Sequence, residues 1–208
     1  MDVPPAITAA AASWNVSRES WARIATFTEL LLTWQARINL IAPSTIPEIW
    51  HRHILDSLQL LSRVRPTDRA FADLGSGSGC PALPFAIASG LEVHLFESNG
   101  KKAAFLREAL RVTGTPGQVH LRRIEAVETA HLPKVEIVTA RALAALPLLL
   151  DWSEGFLRRG ARGLFHKGQD IELELTQATK SWKINSRKFQ SVTDSRAVIL
   201  EVEEVVRV

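Results

Sequence analysis

Short apolar runs alternate with longer amphipathic stretches from residue 70 onward, and this alternation limits the possible folds more than any other feature. Five runs have the length and composition of buried strands: 70–74, 92–96, 118–122, 135–140 and 162–166. Helical spacing marks the segments near 81–89, 100–113, 145–158 and from about residue 170. Repeated strand–helix units predict a parallel sheet with helices on both faces, which is an α/β fold. Residues 183–190 and 196–206 alternate around Thr193-Asp194-Ser195, which predicts an antiparallel hairpin.

The first 65 residues have a different, purely helical pattern. Ser17 is a candidate N-cap, with Glu19 in the first turn where a carboxylate complements the helix dipole. One apolar face follows at spacings of three and four: Ile24, Phe27, Leu31, Trp34 and Ile38. We expect this helix to end at Pro43 and a second helix to run over 46–61. The sequence thus predicts a helical extension, 1–65, packed on a core of 66–208 as one compact unit.

Composition places the chain among globular proteins. Of 208 residues, 46% are hydrophobic and 23% are charged, which excludes a disordered chain or a fibre. Cys80 is the single cysteine, so an internal disulfide and a multi-cysteine zinc site are excluded. The longest apolar run, 142–150, is far shorter than the roughly 20 residues that span a bilayer. No basic stretch precedes an apolar one at the start, so we expect no secretory signal and a cytoplasmic location. We also expect a monomer.

The charge balance is mildly basic, with 25 Lys and Arg against 22 Asp and Glu, a net charge of +3. The basic residues are grouped in three places: Lys101, Lys102, Arg107 and Arg111; Arg158, Arg159 and Arg162; Lys180, Lys183, Arg187 and Lys188. These groups fit either ordinary solvated faces or a surface that follows a phosphate backbone. Composition leaves both interpretations open.

A glycine-rich loop, Asp73-Leu74-Gly75-Ser76-Gly77-Ser78-Gly79-Cys80-Pro81, follows the first predicted strand and precedes a helix. Its spacing is Gly-x-Gly-x-Gly, whereas the dinucleotide-binding fingerprint is Gly-x-Gly-x-x-Gly. A carboxylate at Asp73 would repel a pyrophosphate and could order the loop beside a cation. Glu97 ends the second strand, at the place where an acid accepts hydrogen bonds from ribose hydroxyls. The loop therefore favours S-adenosyl-L-methionine, which carries a sulfonium and no phosphate.

Several further strings occur in an order that resembles one family. After Asn39-Leu40 come His53-Ile54-Leu55-Asp56-Ser57-Leu58, Cys80-Pro81-Ala82-Leu83-Pro84, the run from Glu97 to Leu106, Ala140-Arg141-Ala142 and His166-Lys167-Gly168-Gln169. The set, over about 38–170, resembles the bacterial small-subunit ribosomal RNA guanine-N7 methyltransferases, known as RsmG or GidB. Cys80 stands where the family usually has Phe, and Ala82 where it has Gly.

The resemblance implies a Rossmann-like class I methyltransferase with a seven-stranded, mostly parallel sheet. It implies S-adenosyl-L-methionine as cofactor and small-subunit ribosomal RNA, or the 30S particle, as partner. The resemblance assigns cofactor binding to Gly75, Cys80, Glu97, Ile124, Glu125 and Arg141, and the glycine loop itself adds Asp73, Gly77 and Gly79 as cofactor-binding candidates. Within this set Glu97 would hold the ribose, Ile124 and Glu125 the adenine edge, and Arg141 would lie near the transferred methyl.

The sequence shows no convincing His–Asp or Cys–His catalytic dyad, and this absence fits methylation at guanine N7. N7 has a lone pair and no proton to lose, so methylation needs no general base, only alignment with the methyl group. We expect Arg141 to orient the cofactor or the guanine O6 edge, because a cation against the ring would oppose the developing charge.

Four residues are candidates for contact with RNA: His53, Asp56, Lys101 and Lys167. His53 and Asp56 fit a nucleotide pocket or a structural contact that fixes the helices, and Lys167 fits a phosphate contact or a solvated side chain. We expect no metal, because His51-x-His53 has no further ligands at a suitable spacing.

Three other functions fit parts of the sequence. The first is a methyltransferase that acts on a small molecule or a protein side chain. The second is a nucleotide-binding protein without catalysis, or an NAD enzyme, although the glycine spacing disfavours NAD. The third uses Cys80 as a nucleophile in cytosine-carbon methylation. Cofactor binding and the identity of the methylated product would distinguish them.

Overall fold

The computed structural model describes all 208 residues and contains one seven-stranded sheet. The strands are β1 (Ala70–Leu74), β2 (Glu92–Glu97), β3 (Gly117–Leu121), β4 (Ile137–Arg141), β5 (Arg162–Lys167), β6 (Trp182–Gln190) and β7 (Val198–Arg207). Their order is β3-β2-β1-β4-β5-β7-β6. The first five pair in parallel, and β7 pairs antiparallel with β5 and β6. The predicted class, mostly parallel α/β with a terminal hairpin, is confirmed.

Seven α-helices flank this sheet: α1 (Pro5–Ala10), α2 (Arg18–Gln35), α3 (Asp56–Leu58), α4 (Ala82–Ser89), α5 (Gly100–Thr113), α6 (Leu146–Leu157) and α7 (Ile171–Ala178). Helix α2 packs against α4 and α5, and α6 packs against α7. Two apolar clusters follow from this arrangement, one containing residues of α2, α4 and α5 and the other residues of α6 and α7. None of the helices is long and apolar enough to cross a bilayer.

Helix α2 begins as expected but ends early. The Ser17 hydroxyl accepts from the Ser20 N–H at 3.0 Å, which is the predicted N-cap. The predicted continuation to Pro43 is wrong, because the helix ends at Gln35. The Gln35 amide oxygen accepts from the N–H groups of Leu40 and Ile41, at 2.8 and 2.9 Å. The Gln35 side chain thus pairs two backbone donors of the turn after α2, which would otherwise lack hydrogen-bond partners.

The second predicted helix, 46–61, is an irregular helical segment spanning 43–63. It consists of a 3₁₀ stretch over Pro43–Glu48, a π-helical turn over Trp50–Leu55, α3, and a 3₁₀ stretch over Gln59–Arg63. Pro47 lies in the first stretch and has no N–H to donate to a regular helix. A π turn inserts an extra residue and often occurs at functional sites. This turn contains His53 and ends at Leu55, directly before Asp56.

The N-terminal helices and the sheet share one apolar cluster. Ile24, Phe27 and Leu31 of α2 are fully buried in the cluster that also contains Phe71 of β1 and Val93 of β2. The first 65 residues therefore cover one face of the sheet. The proposed division at residue 65 stays a prediction.

The strand order places a crevice at the carboxyl ends of β1 and β4. The chain proceeds from β1 to β2 and β3 on one side, then crosses to β4 and β5 on the other. Ligands in open α/β sheets bind where the order reverses in this way. The loops that follow β1, β4 and β5 meet at this edge.

Candidate functional site

The glycine-rich loop turns sharply after β1. Gly75, Gly77 and Gly79 have φ angles of +67°, +48° and +77°, a region that side chains with a Cβ rarely occupy. A Cβ on Gly75 would overlap the Leu143 side chain, whereas a Cβ on Gly77 would meet only the Gly75 carbonyl, at 3.6 Å. The backbone at Gly77 is therefore open to a ligand. Gly75 provides close packing against the loop after β4.

Glu97 fastens this loop from the end of β2. One carboxylate oxygen accepts from the Gly77 N–H at 2.9 Å, and the other accepts from the Asn99 N–H at 2.7 Å. Each oxygen keeps a second lone pair, so the carboxylate can still accept from hydroxyl donors. Glu97 thus helps to order the loop, together with Asp73, whose backbone carbonyl accepts from the Ser76 hydroxyl at 3.1 Å.

Asp73 lies beneath the loop and does not line the cavity described below. Its side chain is 1% exposed and accepts from the Thr139 hydroxyl at 2.6 Å. Burial raises the pKa of Asp73 to about 6. A buried carboxylate of this kind favours a nearby positive charge, because a cation stabilises its ionised form.

A cavity of about 790 Å³ opens above the glycine loop. Its walls come from the 43–63 segment, the glycine loop, the carboxyl ends of β4 and β5, and the turn between β6 and β7. They include these residues: Arg52, His53, Asp56, Gly75, Gly77, Cys80, Lys102, Arg141, Leu143, His166, Lys167, Thr193 and Asp194. The volume is in the range of cavities that enclose cofactor-sized ligands.

Arg141 lies at the centre of a polar cluster, the Arg141 cluster, which also contains His53, Asp56, His166 and Thr193. One guanidinium nitrogen, Nη1, donates to Asp56 at 2.9 Å and to the Arg52 carbonyl at 3.0 Å. The other, Nη2, donates to His53 Nδ1 at 2.8 Å. These contacts fix the guanidinium at the end of β4, on the wall of the cavity.

The hydrogen bonds of His53 determine its tautomer. Nδ1 accepts from Arg141, so the proton is on Nε2, which donates to the Thr45 hydroxyl at 2.8 Å. Burial, with help from the Arg141 charge, lowers the pKa of His53 to about 4. A neutral histidine suits this place, because a protonated ring would face the guanidinium with like charge.

Asp56 joins elements that are distant in sequence. Oδ1 accepts from Thr193 at 2.7 Å and from Gln59 at 2.8 Å, while Oδ2 accepts from Arg141. The Asp56 carbonyl lies 2.9 Å from His166 Nε2. Burial alone would raise the pKa of Asp56, but His166, Arg141 and the hydrogen bonds from Thr193 and Arg141 hold it below its ordinary value. Asp56 is therefore an ionised anchor for Arg141.

Lys167 is committed to the protein rather than free for a phosphate. Its ammonium lies 2.5 Å from Glu174 and donates to the Ala144 carbonyl at 3.0 Å. Glu174 also accepts from the Leu146 N–H at 2.6 Å. The pair holds the loop after β4, in which Ala142 has a φ of +51°. A free, solvated Lys167 is excluded, since the side chain is 6% exposed.

Other predicted residues lie apart from the cavity. Lys101 is exposed on α5, whereas the neighbouring Lys102 lines the cavity. Ile124 and Glu125 line a second cavity beside α6. Gly79 packs against Leu83 beneath the loop, where a Cβ would lie 3.1 Å from Leu83 Cδ1.

Cys80 lines the cavity as a thiol. Burial raises its pKa to about 11, so the thiolate that a nucleophile needs is disfavoured. The structure gives no support to the interpretation of Cys80 as a nucleophile.

The second basic group, Arg158, Arg159 and Arg162, does not form one exposed face. Arg162 is 3% exposed and pairs with Asp68 at 2.5 Å, at the amino end of β5. The interpretation of Arg158, Arg159 and Arg162 as one basic face is therefore wrong. A buried partner 94 residues away leaves no local signal in the sequence.

Sequence reasoning also missed several residues of the site. Thr139, Thr193 and Asp194 are short polar residues with no motif of their own, and only the fold places them at this edge. Arg52 and Lys102 carry a weak signal, because Arg52 is a basic residue directly before the His53 motif and Lys102 belongs to a motif and to a basic group. His166 was part of a motif but had no assigned role.

Comparison with known proteins gives a consistent result. The family model described as "GidB: rRNA small subunit methyltransferase G" matches residues 21–202. A Bradyrhizobium sp. (strain BTAi1) protein is 49% identical over 96% of this chain and 91% of its own length. A Paramagnetospirillum magneticum protein is 45% identical over 93% of each chain. Both are named "Ribosomal RNA small subunit methyltransferase G".

Solved structures share the fold at low sequence identity. A ribosomal protein L11 methylase from Lactobacillus delbrueckii has a TM-score of 0.56 at 18% identity, over 74% of this chain and 79% of that chain. M. jannaschii TYW2 in complex with AdoMet has a TM-score of 0.53 at 17% identity, over 83% and 80%. These likenesses show a class I methyltransferase fold. With the match to the family model and the two relatives, they establish that this chain belongs to the GidB family of small-subunit rRNA methyltransferases.

Proposed function

We propose that this protein transfers a methyl group from S-adenosyl-L-methionine to N7 of a guanine in small-subunit ribosomal RNA. The names of its relatives support the RNA and the reaction class. The cavity at the carboxyl ends of β1 and β4 is the candidate site for the cofactor and the methylated base. The choice of N7 rests on the groups that line this cavity.

The glycine loop and its surroundings fit the cofactor. When bound, S-adenosyl-L-methionine supplies a methyl group on a positively charged sulfur. The open backbone at Gly77 admits a ligand closely, and Glu97 would accept from the ribose hydroxyls with its remaining lone pairs. Asp73, buried under the loop, contributes negative charge that favours a cation over the neutral product. We assign Ile124 and Glu125, just beyond β3, to the adenine edge, which requires the adenine to extend toward the second cavity that these two residues line.

One observation carries the choice of guanine N7: the cavity offers no suitable general base. Both nitrogens of His53 are hydrogen-bonded, and its pKa is about 4. Burial also lowers the pKa of His166, and its unpartnered Nδ1 is sealed from solvent. The Cys80 thiol has a pKa of about 11, and the hydrogen bond from the Arg196 N–H lowers the pKa of Asp194. A base for oxygen or amine methylation needs a pKa near the operating pH. N7 needs none, because its lone pair attacks directly and no proton is lost.

Arg141 acts by orientation. Its guanidinium is fixed by Asp56 and His53 on the cavity wall, so it offers its remaining N–H donors in a set direction. Such donors align the guanine O6 edge or the cofactor for in-line transfer. The ion pair with Asp56 also reduces the positive charge that the purine faces as methylation makes it cationic.

Cationic side chains at the cavity suit an RNA strand. Arg52 and Lys102 line the cavity, and the Arg52 side chain is 45% exposed. Both can contact phosphates on either side of a base that enters the cavity. Lys101 extends this charge along α5, and the partner is ribosomal RNA, free or in the 30S particle.

Nucleoside analysis after methyl transfer tests this function. The protein is incubated with labelled S-adenosyl-L-methionine and, separately, with naked small-subunit RNA, 30S particles, and a pool of metabolites and proteins. We expect label in RNA or particles, recovered as 7-methylguanosine. Label in a protein, a metabolite or another nucleoside would overturn the proposal.

A further inference from the structure

The cavity continues beyond Arg141, away from the glycine loop. This second half lies between the π turn that contains Arg52 and His53 and the β6–β7 turn, residues 191–197. Because the first half adjoins the glycine loop, the second half is the space left for the methyl acceptor. Its hydrogen-bonding groups therefore decide which base can enter.

Most acceptors in this half are already occupied. The Asp56 carboxylate accepts from Thr193, Gln59 and Arg141. His166 Nδ1 has no partner, but it is sealed from solvent and is not offered to a ligand. The charge of Glu174 is neutralised by Lys167.

Asp194 is the exception. Its Oδ1 accepts from the Arg196 N–H at 2.9 Å, which fixes the turn, and lies 3.5 Å from Nε of the exposed Arg196 side chain. Its Oδ2 has no hydrogen bond, and Arg52 Nη1 lies 3.8 Å away, beyond hydrogen-bond distance. The side chain is 27% exposed on the cavity wall. One carboxylate oxygen, held in a defined turn, is thus available to a ligand.

The position of Asp194 ties it to the reactive centre. The side chain of Arg52 faces Asp194, and the backbone carbonyl of Arg52 accepts from Arg141 Nη1 at 3.0 Å. Thr193, the preceding residue, donates to Asp56, which binds Arg141. The turn that carries Asp194 is therefore fixed to the same cluster that orients Arg141.

We propose that Asp194 determines specificity for guanine by accepting hydrogen bonds from its N1–H and 2-amino groups. This inference rests on the proposed function. Guanine presents two donors on that edge, and a carboxylate presents only acceptors. Adenine has a bare nitrogen at N1 and no 2-amino group, so its lone pair would face the carboxylate and be rejected.

The contact strengthens during the reaction. Methylation at N7 makes the base cationic and its N1–H more acidic, so the hydrogen bond to Asp194 is stronger in the transition state than in the ground state. Interactions of this kind raise kcat. Asp194 is therefore expected to affect kcat as well as KM.

The test compares two substrates and three proteins. Small-subunit RNA carries either guanine or inosine, which lacks the 2-amino group, at the position that the wild-type protein methylates. The proteins are wild type, Asp194→Asn and Asp170→Asn. Asparagine keeps the oxygen that accepts from the Arg196 N–H and replaces Oδ2 by a donor. Asp170 is an exposed aspartate outside the cavity lining and serves as the matched control.

We expect Asp194→Asn to lower kcat/KM on guanine RNA about tenfold or more, the value of a charged hydrogen bond. Its preference for guanine over inosine should shrink to near unity, while Asp170→Asn behaves as wild type. Binding of S-adenosylhomocysteine, measured by calorimetry, should be unchanged and shows that the variant is folded. Unchanged kcat/KM or an undiminished guanine preference in Asp194→Asn would overturn the inference. If the wild-type protein gives no 7-methylguanosine, the proposed function fails, and this inference fails with it.

Discussion

Two arginines on adjacent strands of this sheet make similar ion pairs at opposite ends. Arg162 begins β5 and pairs with Asp68 and Glu201, whereas Arg141 ends β4 and pairs with Asp56. The Arg162 pair is sealed, with side chains 4% and 3% exposed, and the Arg141 pair is 16% and 14% exposed and lines the cavity. The same chemistry therefore serves the fold at the amino end and a ligand at the carboxyl end.

The largest expected effect separates these two roles. Arg162→Ala leaves Asp68 and Glu201 buried without their cation, which should lower the free energy of unfolding by about 3–5 kcal/mol. Urea denaturation measures this loss, and methyl transfer per folded molecule should stay within about twofold of wild type. As a control, Arg65→Ala removes a half-exposed partner of Glu201 and should cost less than about 1 kcal/mol. Full stability in Arg162→Ala would remove the basis of the comparison.

Arg141→Ala should show the opposite pattern. We expect methyl transfer to fall about 100-fold, the scale for removing one oriented donor from an active site. The loss of unfolding free energy should be smaller than in Arg162→Ala, because Asp56 keeps Thr193 and Gln59 as donors. Steady-state kinetics and urea denaturation on the same preparation provide both numbers. Normal turnover would refute the orienting role.

The two ends should also respond differently to acid, because only the Arg141 cluster contains histidines, His53 and His166, and the pKa of each is lowered. The pKa of His53 falls from 6.5 to about 4 on folding, so its contribution is present above pH 6.5 and is lost as the pH falls toward 4. Between pH 6.5 and 5.5 this loss amounts to about 1 kcal/mol of unfolding free energy.

The difference in unfolding free energy between wild type and His53→Gln isolates the contribution of His53 titration. Asp73 changes stability in the opposite sense, since its raised pKa makes the folded state more stable as the pH falls toward 4. Unfolding free energies at several pH values should converge for the two proteins on acidification. Parallel curves would mean that His53 does not titrate as described.

The smallest expected effect concerns Asp73 and the cofactor. A sulfonium favours the ionised carboxylate, so affinity for S-adenosyl-L-methionine should rise several-fold as the pH rises through about 6. S-adenosylhomocysteine, which lacks the positive charge, should show a weaker rise. Calorimetry from pH 5 to 7.5 measures both, and Asp73→Asn should remove the difference. Equal pH dependence of the two ligands would show that Asp73 does not sense the sulfonium.

Sequence patterns predicted the strands because each carries a local signal, either a short, mainly apolar run or, in β6 and β7, alternation of apolar and polar residues. Ala70–Leu74 has the predicted bounds, and α5 begins and ends at the predicted residues, 100 and 113. The glycine loop could also be recognised in the sequence, because its positive φ values require glycine at every second position, 75, 77 and 79. Local chemistry fixes all of these features.

Long-range partners could not be read in this way. Asp56 accepts a hydrogen bond from Arg141, 85 residues later in the chain. The end of α2 likewise depends on the Gln35 side chain, which accepts from the backbone N–H groups of residues 40 and 41. Helical periodicity also predicted a regular helix where the chain forms 3₁₀ and π turns, because tertiary contacts of His53 and Asp56 override it. The residues of the site were thus partly predictable, but their pairings were not.

Calorimetric titration of the purified, folded protein with S-adenosyl-L-methionine tests the central claim most directly. The account predicts saturable heat with one ligand bound per chain, binding of S-adenosylhomocysteine at the same site, and no heat with NAD. Absence of heat with both sulfur ligands, or saturable binding of NAD, would contradict it.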